Sequence, residues 1–253
     1  MSERAPRQPK RRVDQLLVER GFAVSRARAQ ALVLSGEVFS GDVRIEKSGQ
    51  ELPIDAPLRV RDQQKYVSRG GLKLEGALLD LDFDPSGLSA ADIGASTGGF
   101  TDCLLQRGVT RVYAIDVGHG QLAEKLRQDA RVVSMERTNA RSLTADEVDG
   151  GVDLVVVDAS FISLEKLIPA IDALLLPGGH LLALIKPQFE VGRAEATKNA
   201  GVIRDEEVRG RAIAQVLEAV RSAGFEILGD ARCRVAGPKG NVEHFVKAKK
   251  LAS

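Results

Sequence analysis

The sequence predicts an α/β fold built on a mostly parallel, seven-stranded sheet, preceded by a small basic α+β domain. Three observations lead there. Beyond Gly70, apolar runs of strand length alternate with helical periods, the pattern of parallel strands joined by crossover helices. One of these runs opens into Asp92-Ile93-Gly94-Ala95-Ser96-Thr97-Gly98-Gly99-Phe100, a glycine loop that leads into a helix. Another, Val155-Val156-Val157, ends in Asp158-Ala159-Ser160-Phe161 and sets a carboxylate at the carboxyl edge of the sheet, where open α/β folds keep their chemistry.

In chain order, residues 1–10 are polar, basic and aperiodic, which predicts a flexible leader. Val13, Leu16 and Leu17 share a helical face, and Gly21 suits the end of that helix. Ser25 is the expected N-cap of a second helix, with Ala29, Leu32 and Val33 as its apolar stripe and Gly36 as its stop. Glu37-Val38-Phe39-Ser40 reads as a strand entering a tight turn at Gly41, and 53–60 as another short strand. Residues 61–68 are polar and read as a linker, so domains are expected at 11–60 and 69–253. In the larger domain, helices are expected at 72–81, 99–107, 120–128, 164–176 and 206–223. Strands are expected at 90–93, 112–116, 132–135, 153–158, 180–185, 225–228 and 243–248.

Composition narrows the function. At 43% hydrophobic and 28% charged residues the chain is an ordinary globular protein, and no apolar run reaches the roughly 18 residues of a membrane helix. No apolar stretch follows the basic amino terminus, as a secretory signal requires. Cys103 and Cys233 are too few for a disulfide framework; they read as small buried hydrophobes in a reducing cytoplasm. His119, His180 and His244 form no metal-ligand spacing with the cysteines or acids, so no metal is expected. Residues 1–70 hold 14 Lys/Arg against 9 Asp/Glu, whereas the remainder holds 22 against 26. A basic front end on a mildly acidic body points to a polyanionic partner.

The loop spacing separates the possible cofactors. Gly94, Gly98 and Gly99 behind Asp92 depart from the G-x-G-x-x-G of dinucleotide binders, and no lysine follows the glycines as a P-loop requires. Asp116 ends the second strand about 20 residues on, where an acid accepts hydrogen bonds from ribose hydroxyls. The D-x-G-x-x-x-G-G-F arrangement resembles the S-adenosylmethionine loop of Rossmann-like class I methyltransferases. That resemblance implies cofactor contacts from Asp92, Gly94, Ala95, Ser96, Thr97, Gly98, Gly99, Phe100 and Asp116, with Asn139 beside the adenine.

Two further resemblances extend this reading over nearly the whole chain. Arg12-Val13-Asp14-Gln15-Leu16-Leu17, Gly21, Ser25-Arg26-Ala27-Arg28-Ala29, Gly36-Glu37-Val38 and Gly41 resemble an S4-type RNA-binding domain, which implies RNA contacts from Arg12, Arg26, Arg28 and Lys47. Aromatic residues are scarce there (Phe22 and Phe39), which favours reading phosphates and shape over stacking on single strands. In the larger domain Lys73, Asp158, Lys186 and Glu243, in that order, resemble the catalytic tetrad of FtsJ-like ribose 2′-O-methyltransferases. The two domains joined through Ser68-Arg69-Gly70-Gly71-Leu72-Lys73-Leu74 resemble the TlyA (hemolysin A) family from about residue 11 to 249. The resemblance implies methylation of cytidine 2′-hydroxyls in ribosomal RNA, with ribosomal RNA or ribosomal subunits as partners.

The four residue types also make chemical sense without a family. A ribose hydroxyl is a poor nucleophile until it loses its proton, and a free lysine, with a pKa of about 10.4, is too fully protonated to accept one. A second cation and desolvation lower that value, while a carboxylate raises it and fixes the amine in place. Lys186 is therefore expected to deprotonate or polarise the hydroxyl and Asp158 to orient it, with Lys73 and Glu243 tuning charge and holding the ribose. Taken singly, each is an ordinary strand-end or surface charge; their joint order is what carries the expectation. The competing expectations are a non-catalytic RNA- or ribosome-binding protein, a membrane-lytic hemolysin, and a nucleotide-dependent oxidoreductase.

Overall fold

Two units, Met1–Gln64 and Lys65–Ser253, make up the computed structural model, which describes residues 9–61, 65–192 and 201–251. In the first unit β1 (Lys10–Arg12) runs into α1 (Val13–Glu19), followed by α2 (Arg26–Leu34). Gly21 at φ +75° and Gly36 at φ +74° supply the left-handed turns that close these helices. Ser25 caps α2 as expected, its Oγ accepting from Arg28 N at 3.2 Å. The hairpin β2 (Val38–Ser40) and β3 (Val43–Arg44) turns at Gly41.

Two expectations change here. The strand expected over 53–60 is two strands, β4 (Glu51–Pro53) and β5 (Leu58–Val60), split by a turn in which Ala56 N donates to Pro53 O. They serve different sheets, since β4 pairs with β1 and β5 with β2, both antiparallel. Most of the expected leader, 1–8, lies outside the described residues, but Lys10 is already paired in β1. Val13, Leu16, Leu17, Ala29, Leu32, Val33, Val38 and Ile45 form this unit's own core.

The linker is expected over 61–68. Residues 62–64 lie outside the described residues, and 65–68 pack into the second unit. Tyr66 is only 2% exposed and its ring occupies the space a side chain at Gly71 would take. Val67 N donates to Asp102 Oδ2 at 2.8 Å, and Lys65 pairs with Glu75. The segment reads as polar because its one core residue is a tyrosine between charged neighbours.

The second unit contains α3 (Gly70–Asp80), β6 (Ser89–Ile93), α4 (Gly99–Gln106), β7 (Arg111–Ile115), α5 (Glu124–Arg127), β8 (Val132–Met135) and β9 (Val152–Val157). Then come α6 (Ile168–Leu174), β10 (Leu175–Ile185), α7 (Pro187–Glu190), α8 (Glu206–Ser222), β11 (Phe225–Arg232) and β12 (His244–Lys250). The seven strands form one sheet in the order β11-β12-β10-β9-β6-β7-β8. Parallel pairing holds from β10 through β8, and only β12 runs antiparallel to both its neighbours. The chain order reverses between β6 and β9, so the crevice beyond their carboxyl ends is the topological switch point.

Alternate residues of each strand feed opposite cores, as the period of two requires. On one face Val155, Val157, Ala183 and Ile185 pack with Ile168, Ile171, Val216 and Val220 of α6 and α8. On the other, Leu154, Val156, Leu182 and Leu184 pack with Leu74, Leu78, Cys103 and Leu104 of α3 and α4. Both cysteines are buried free thiols, and burial pushes the Cys103 thiol up to about 11.

Several helix and strand limits differ from the expected ones, among them those of β11, which runs on to Arg232 past the expected 228, and β12, which runs to Lys250. The helix expected over 120–128 is reduced to α5, because Glu136 Oε1 accepts from Gln121 N at 3.0 Å and holds the preceding loop open. The helix expected over 164–176 is a 3₁₀ turn, Leu164–Lys166, followed by α6, because Pro169 lacks an N–H and suits only a first helical turn. Strand β10 begins at Leu175, upstream of the expected 180–185, with its register shifted between Leu175 and His180 across Pro177-Gly178-Gly179.

Candidate active site

The tetrad is assembled at one edge of the sheet as two ion pairs. Asp158 follows the carboxyl end of β9 and Lys186 follows that of β10. Because β12 runs the other way, its amino end reaches the same edge, and Glu243 stands one residue before the Ile185–His244 rung. Lys73 arrives from α3. Its Nζ lies 2.5 Å from Glu243 Oε2, and Lys186 Nζ lies 2.6 Å from Asp158 Oδ1. Lys186 Nζ also donates to Ser160 Oγ at 2.8 Å and the Asp158 carbonyl oxygen at 3.3 Å.

Three of the four are buried: Glu243 fully, Lys73 and Lys186 to 8% and 6% exposure, while Asp158 is half-buried. Glu243 Oε1 has no hydrogen-bond partner among the described residues. Gly237 makes room for this carboxylate, since a Cβ there would fall 2.2 Å from Oε1. The loop carrying both is fixed by Asn241, whose Oδ1 accepts from Ile203 N at 3.1 Å and whose Nδ2 donates to Gly201 O at 2.9 Å.

Beside the Lys186–Asp158 pair a cavity of about 370 Å³ opens at the switch point. Gly94, Ser96, Asp116 and Asn139, four of the residues expected to hold a cofactor, line it. Asp116 Oδ2 accepts from Ser96 N at 2.8 Å and its Oδ1 from Gly118 N at 2.7 Å, so this acid also ties down the glycine loop. Ile93, Ile115, Val117, Ala140 and Ile162 give the cavity apolar walls suited to a purine ring. At Gly94, φ is +85° and a Cβ would lie 2.9 Å from the Asp158 carbonyl oxygen, so only glycine lets the loop approach β9 this closely.

The other expected cofactor residues shape the loop from behind and do not line the cavity. Asp92 is fully buried; its Oδ2 accepts from Thr101 N at 3.0 Å and Thr101 Oγ1 at 2.6 Å, bracing the first turn of α4. Burial pushes its carboxyl up to about 7, with Asp158 and Asp116 adding repulsion. Gly98, at φ +94°, faces the Leu126 and Leu122 side chains, while Gly99 lets α4 approach the backbone of Gly70 and Gly71. Ala95 is buried, Thr97 O accepts from Ala123 N, and Phe100 stacks on Phe245 in the core at 6.0 Å between centroids.

Sequence reasoning passed over several lining residues. Gln121, Thr138, Ser160, Phe161 and Leu167 reach the cavity from four different loops or turns, with no local period to mark them. Phe161 is the most unusual: 91% exposed, at φ +66°, and tilted against Phe189 at 5.3 Å between ring centroids. Positive φ is rare for an aromatic residue, so the surrounding turn holds this side chain out against a local penalty.

The residues present fit a nucleoside donor such as S-adenosylmethionine. The cavity supplies an apolar slot, the Asp116 carboxylate and a glycine cradle that a Cβ would fill at Gly94.

In the first unit the expected RNA-binding residues divide. Arg12 Nη2 and Arg26 Nη2 both meet the buried Asp14 Oδ2, at 2.9 and 3.0 Å, and Gln30 Nε2 donates to the same oxygen at 3.2 Å. The Arg12 guanidinium, helped by Arg26 and Gln30, holds the Asp14 carboxyl well below the usual carboxylate range. Arg28 and Lys47 are exposed and share no ion pair with that cluster among the described residues.

Sheet order, glycine cradle and a lysine–carboxylate tetrad together define a methyltransferase of the Rossmann-like class. The chain belongs to the FtsJ-like methyltransferase family, whose profile matches residues 66–250, and residues 11–55 match the S4 domain. It is 42% identical to the 16S/23S rRNA (cytidine-2′-O)-methyltransferase TlyA of Mycobacterium tuberculosis (strain H37Rv), over 93% of this chain and 88% of that protein. It is 38% identical to Hemolysin A of Brachyspira hyodysenteriae, over 93% of this chain and 99% of the relative. A solved hemolysin-named protein from Streptococcus thermophilus superposes with a TM-score of 0.73 at 38% identity, covering 97% of this chain and 90% of its own. Among the described residues no helix is long and apolar enough to cross a membrane, and no group of three or more His, Cys, Asp or Glu could hold a metal ion.

Proposed function

We propose that this protein is a cytoplasmic enzyme that methylates the 2′-oxygen of a cytidine ribose in ribosomal RNA, with S-adenosylmethionine as donor. The observation that carries this reading is the Lys186–Asp158 pair, at 2.6 Å, on the rim of the 370 Å³ cavity. When bound, the donor supplies a methyl group on a sulfonium; transfer forms the oxygen–carbon bond, breaks the sulfur–carbon bond and releases the hydroxyl proton.

The chain's own groups do the rest. Asp116, Asn139 and the apolar walls hold and orient a nucleoside. Asp158 faces both this cavity and Lys186, so one carboxylate links the donor side to the amine. Lys186 Nζ, as the free amine, takes the 2′-hydroxyl proton as that oxygen attacks, Asp158 holds the ammonium so formed, and Lys73 and Glu243 complete a charge-balanced floor for the ribose. Burial of the amines excludes water from the oxygen that must attack in line. The S4-type unit supplies RNA attraction through the Asp14-organised arginines, with Arg28 and Lys47 in reserve as exposed phosphate contacts.

The test is incubation of wild type and Lys186→Ala with labelled donor and unmodified ribosomal subunits, followed by mapping of the modified ribose. Wild type should yield a 2′-O-methylcytidine. The variant should lose about 10²–10⁴-fold in rate while binding donor normally by calorimetry. An unchanged rate in the variant would refute the assignment.

A further inference from the structure

Resting on that reading, we propose that a second cavity, between the end of β11 and the start of β12, is the acceptor-strand subsite, where Arg232 takes a backbone phosphate of the RNA beside the reacting ribose. The cavity measures about 330 Å³ and is lined by Arg232, Cys233, Arg234, Ala236 and Val242. It shares no lining residue with the donor cavity. The two cavities flank the tetrad: Asp158 borders the first, and Glu243 directly follows the Val242 that lines the second. Cys233 N donates to Glu243 O at 2.9 Å, so the wall of this cavity is hydrogen-bonded to the residue that pairs with Lys73.

The two arginines have different duties. Arg234 is committed: its Nε and Nη2 donate to the two oxygens of Asp80 at 2.9 and 2.5 Å. Its aliphatic stem lies over Gly76, where a Cβ would come within 3.2 Å. Lys73, Gly76 and Asp80 stand three and seven residues apart on α3, so a single helical face positions the catalytic amine and clamps this wall. Arg69 Nη2 adds a longer contact to Ala236 O at 3.4 Å. Arg232, in contrast, is exposed and makes no ion pair or side-chain hydrogen bond among the described residues.

Covalent geometry then assigns the ligand. In RNA the 2′-oxygen and the 3′-phosphate sit on adjacent carbons of one ribose, so a site that holds the first must accommodate the second close by. Glu243 is a buried anion and cannot serve the phosphate. An uncommitted guanidinium at the lip of the neighbouring cavity can, because its planar fork matches phosphate oxygens. The cavity is far too small for a duplex, which fits an acceptor presented as a single, unpaired residue.

The test compares the full chain with Arg232→Gln and Arg232→Lys, using transcribed, unmodified 16S and 23S rRNA as probes. Arg232→Gln should bind RNA about 10-fold more weakly at low salt, the loss expected for one charge-assisted hydrogen bond. Its log affinity against log salt should flatten by about 0.7, the signature of one single-strand phosphate contact removed. Donor affinity should match wild type, which shows that the fold is intact. Arg232→Lys should restore the salt slope. Lys249→Gln, the same charge change at the far end of β12, should bind RNA like wild type. Unchanged affinity and slope in Arg232→Gln, or an equal loss in Lys249→Gln, would overturn the subsite. The two readings fail separately. If wild type binds RNA without methylating ribose, the methyl-transfer reading falls; if it methylates while Arg232→Gln binds normally, only the subsite does.

Discussion

Lys186 Nζ touches three oxygens of one short segment: Asp158 Oδ1 at 2.6 Å, the Asp158 carbonyl at 3.3 Å and Ser160 Oγ at 2.8 Å. Strand β9 thus hands the amine of β10 a ready-made set of acceptors at the switch point. The lysine is aimed before any RNA arrives, and both the charge and the bulk of the Asp158 side chain face it.

Asp158→Asn keeps that bulk and removes the charge. The rate at saturating donor and RNA should fall by at least about 10²-fold, with little change in KM for RNA. Initial-rate measurements decide it, and an unaltered kcat would show that the amine needs no anionic partner.

Removing the acid of the other pair should cost stability as well as activity. Glu243→Ala leaves Lys73 buried without a counter-charge, expected to destabilise the protein by about 3–5 kcal/mol in urea unfolding. The double variant Lys73→Met/Glu243→Leu should recover most of that loss and remain inactive. No recovery would mean that packing at Gly237, rather than charge, sets the cost.

Asp92 predicts a pH dependence. Burial pushes its carboxyl up to about 7, above the value near 3.9 of an unfolded chain. Between these values the folded state holds the proton more tightly. The stabilisation from this group is therefore complete below about pH 4 and lost as pH rises through 7. Asp92→Asn should remove that slope from a series of urea midpoints; a parallel curve for the variant would place the titration elsewhere.

At Gly94 an alanine must adopt φ +85° and push a Cβ to within 2.9 Å of the Asp158 carbonyl oxygen. Gly94→Ala should lower stability by more than about 1 kcal/mol and weaken donor binding in the same protein. A normal melting temperature with normal donor affinity would show that the loop yields.

In the first unit, counting charges gives the wrong sign. Asp14→Ala makes the domain more basic, which by itself strengthens RNA binding. The carboxylate, however, gathers Arg12 and Arg26 through bonds of 2.9 and 3.0 Å. Losing that order should weaken RNA binding several-fold despite the added charge, as a salt titration of binding would show.

Much of this was legible in the sequence. The seven strands and the capping residue Ser25 are local signals; all seven strands form, though β10 starts five residues before, and β11 ends four residues after, the limits the pattern set. The tetrad was legible because its members sit at strand ends or on the lead-in helix, in an order that a parallel sheet converts into proximity. The glycine loop was read too simply. Gly98 and Gly99 serve helix packing, and Asp92 braces α4 from beneath, because the same small residues that admit a ligand also admit a neighbouring helix. Phe161 and Gln121 escaped notice because non-periodic loops carry them to the cavity, and α5 shrank because the distant Glu136 captures its expected first turn.

Lys73 and Glu243 meet although 170 positions separate them along the chain. During synthesis the lysine therefore emerges long before the acid that neutralises it, and the donor cavity can take shape while the amine still lacks its counterpart. The counter-charge for this buried amine is therefore in place only once β12, late in the chain and running against its neighbours, has joined the sheet.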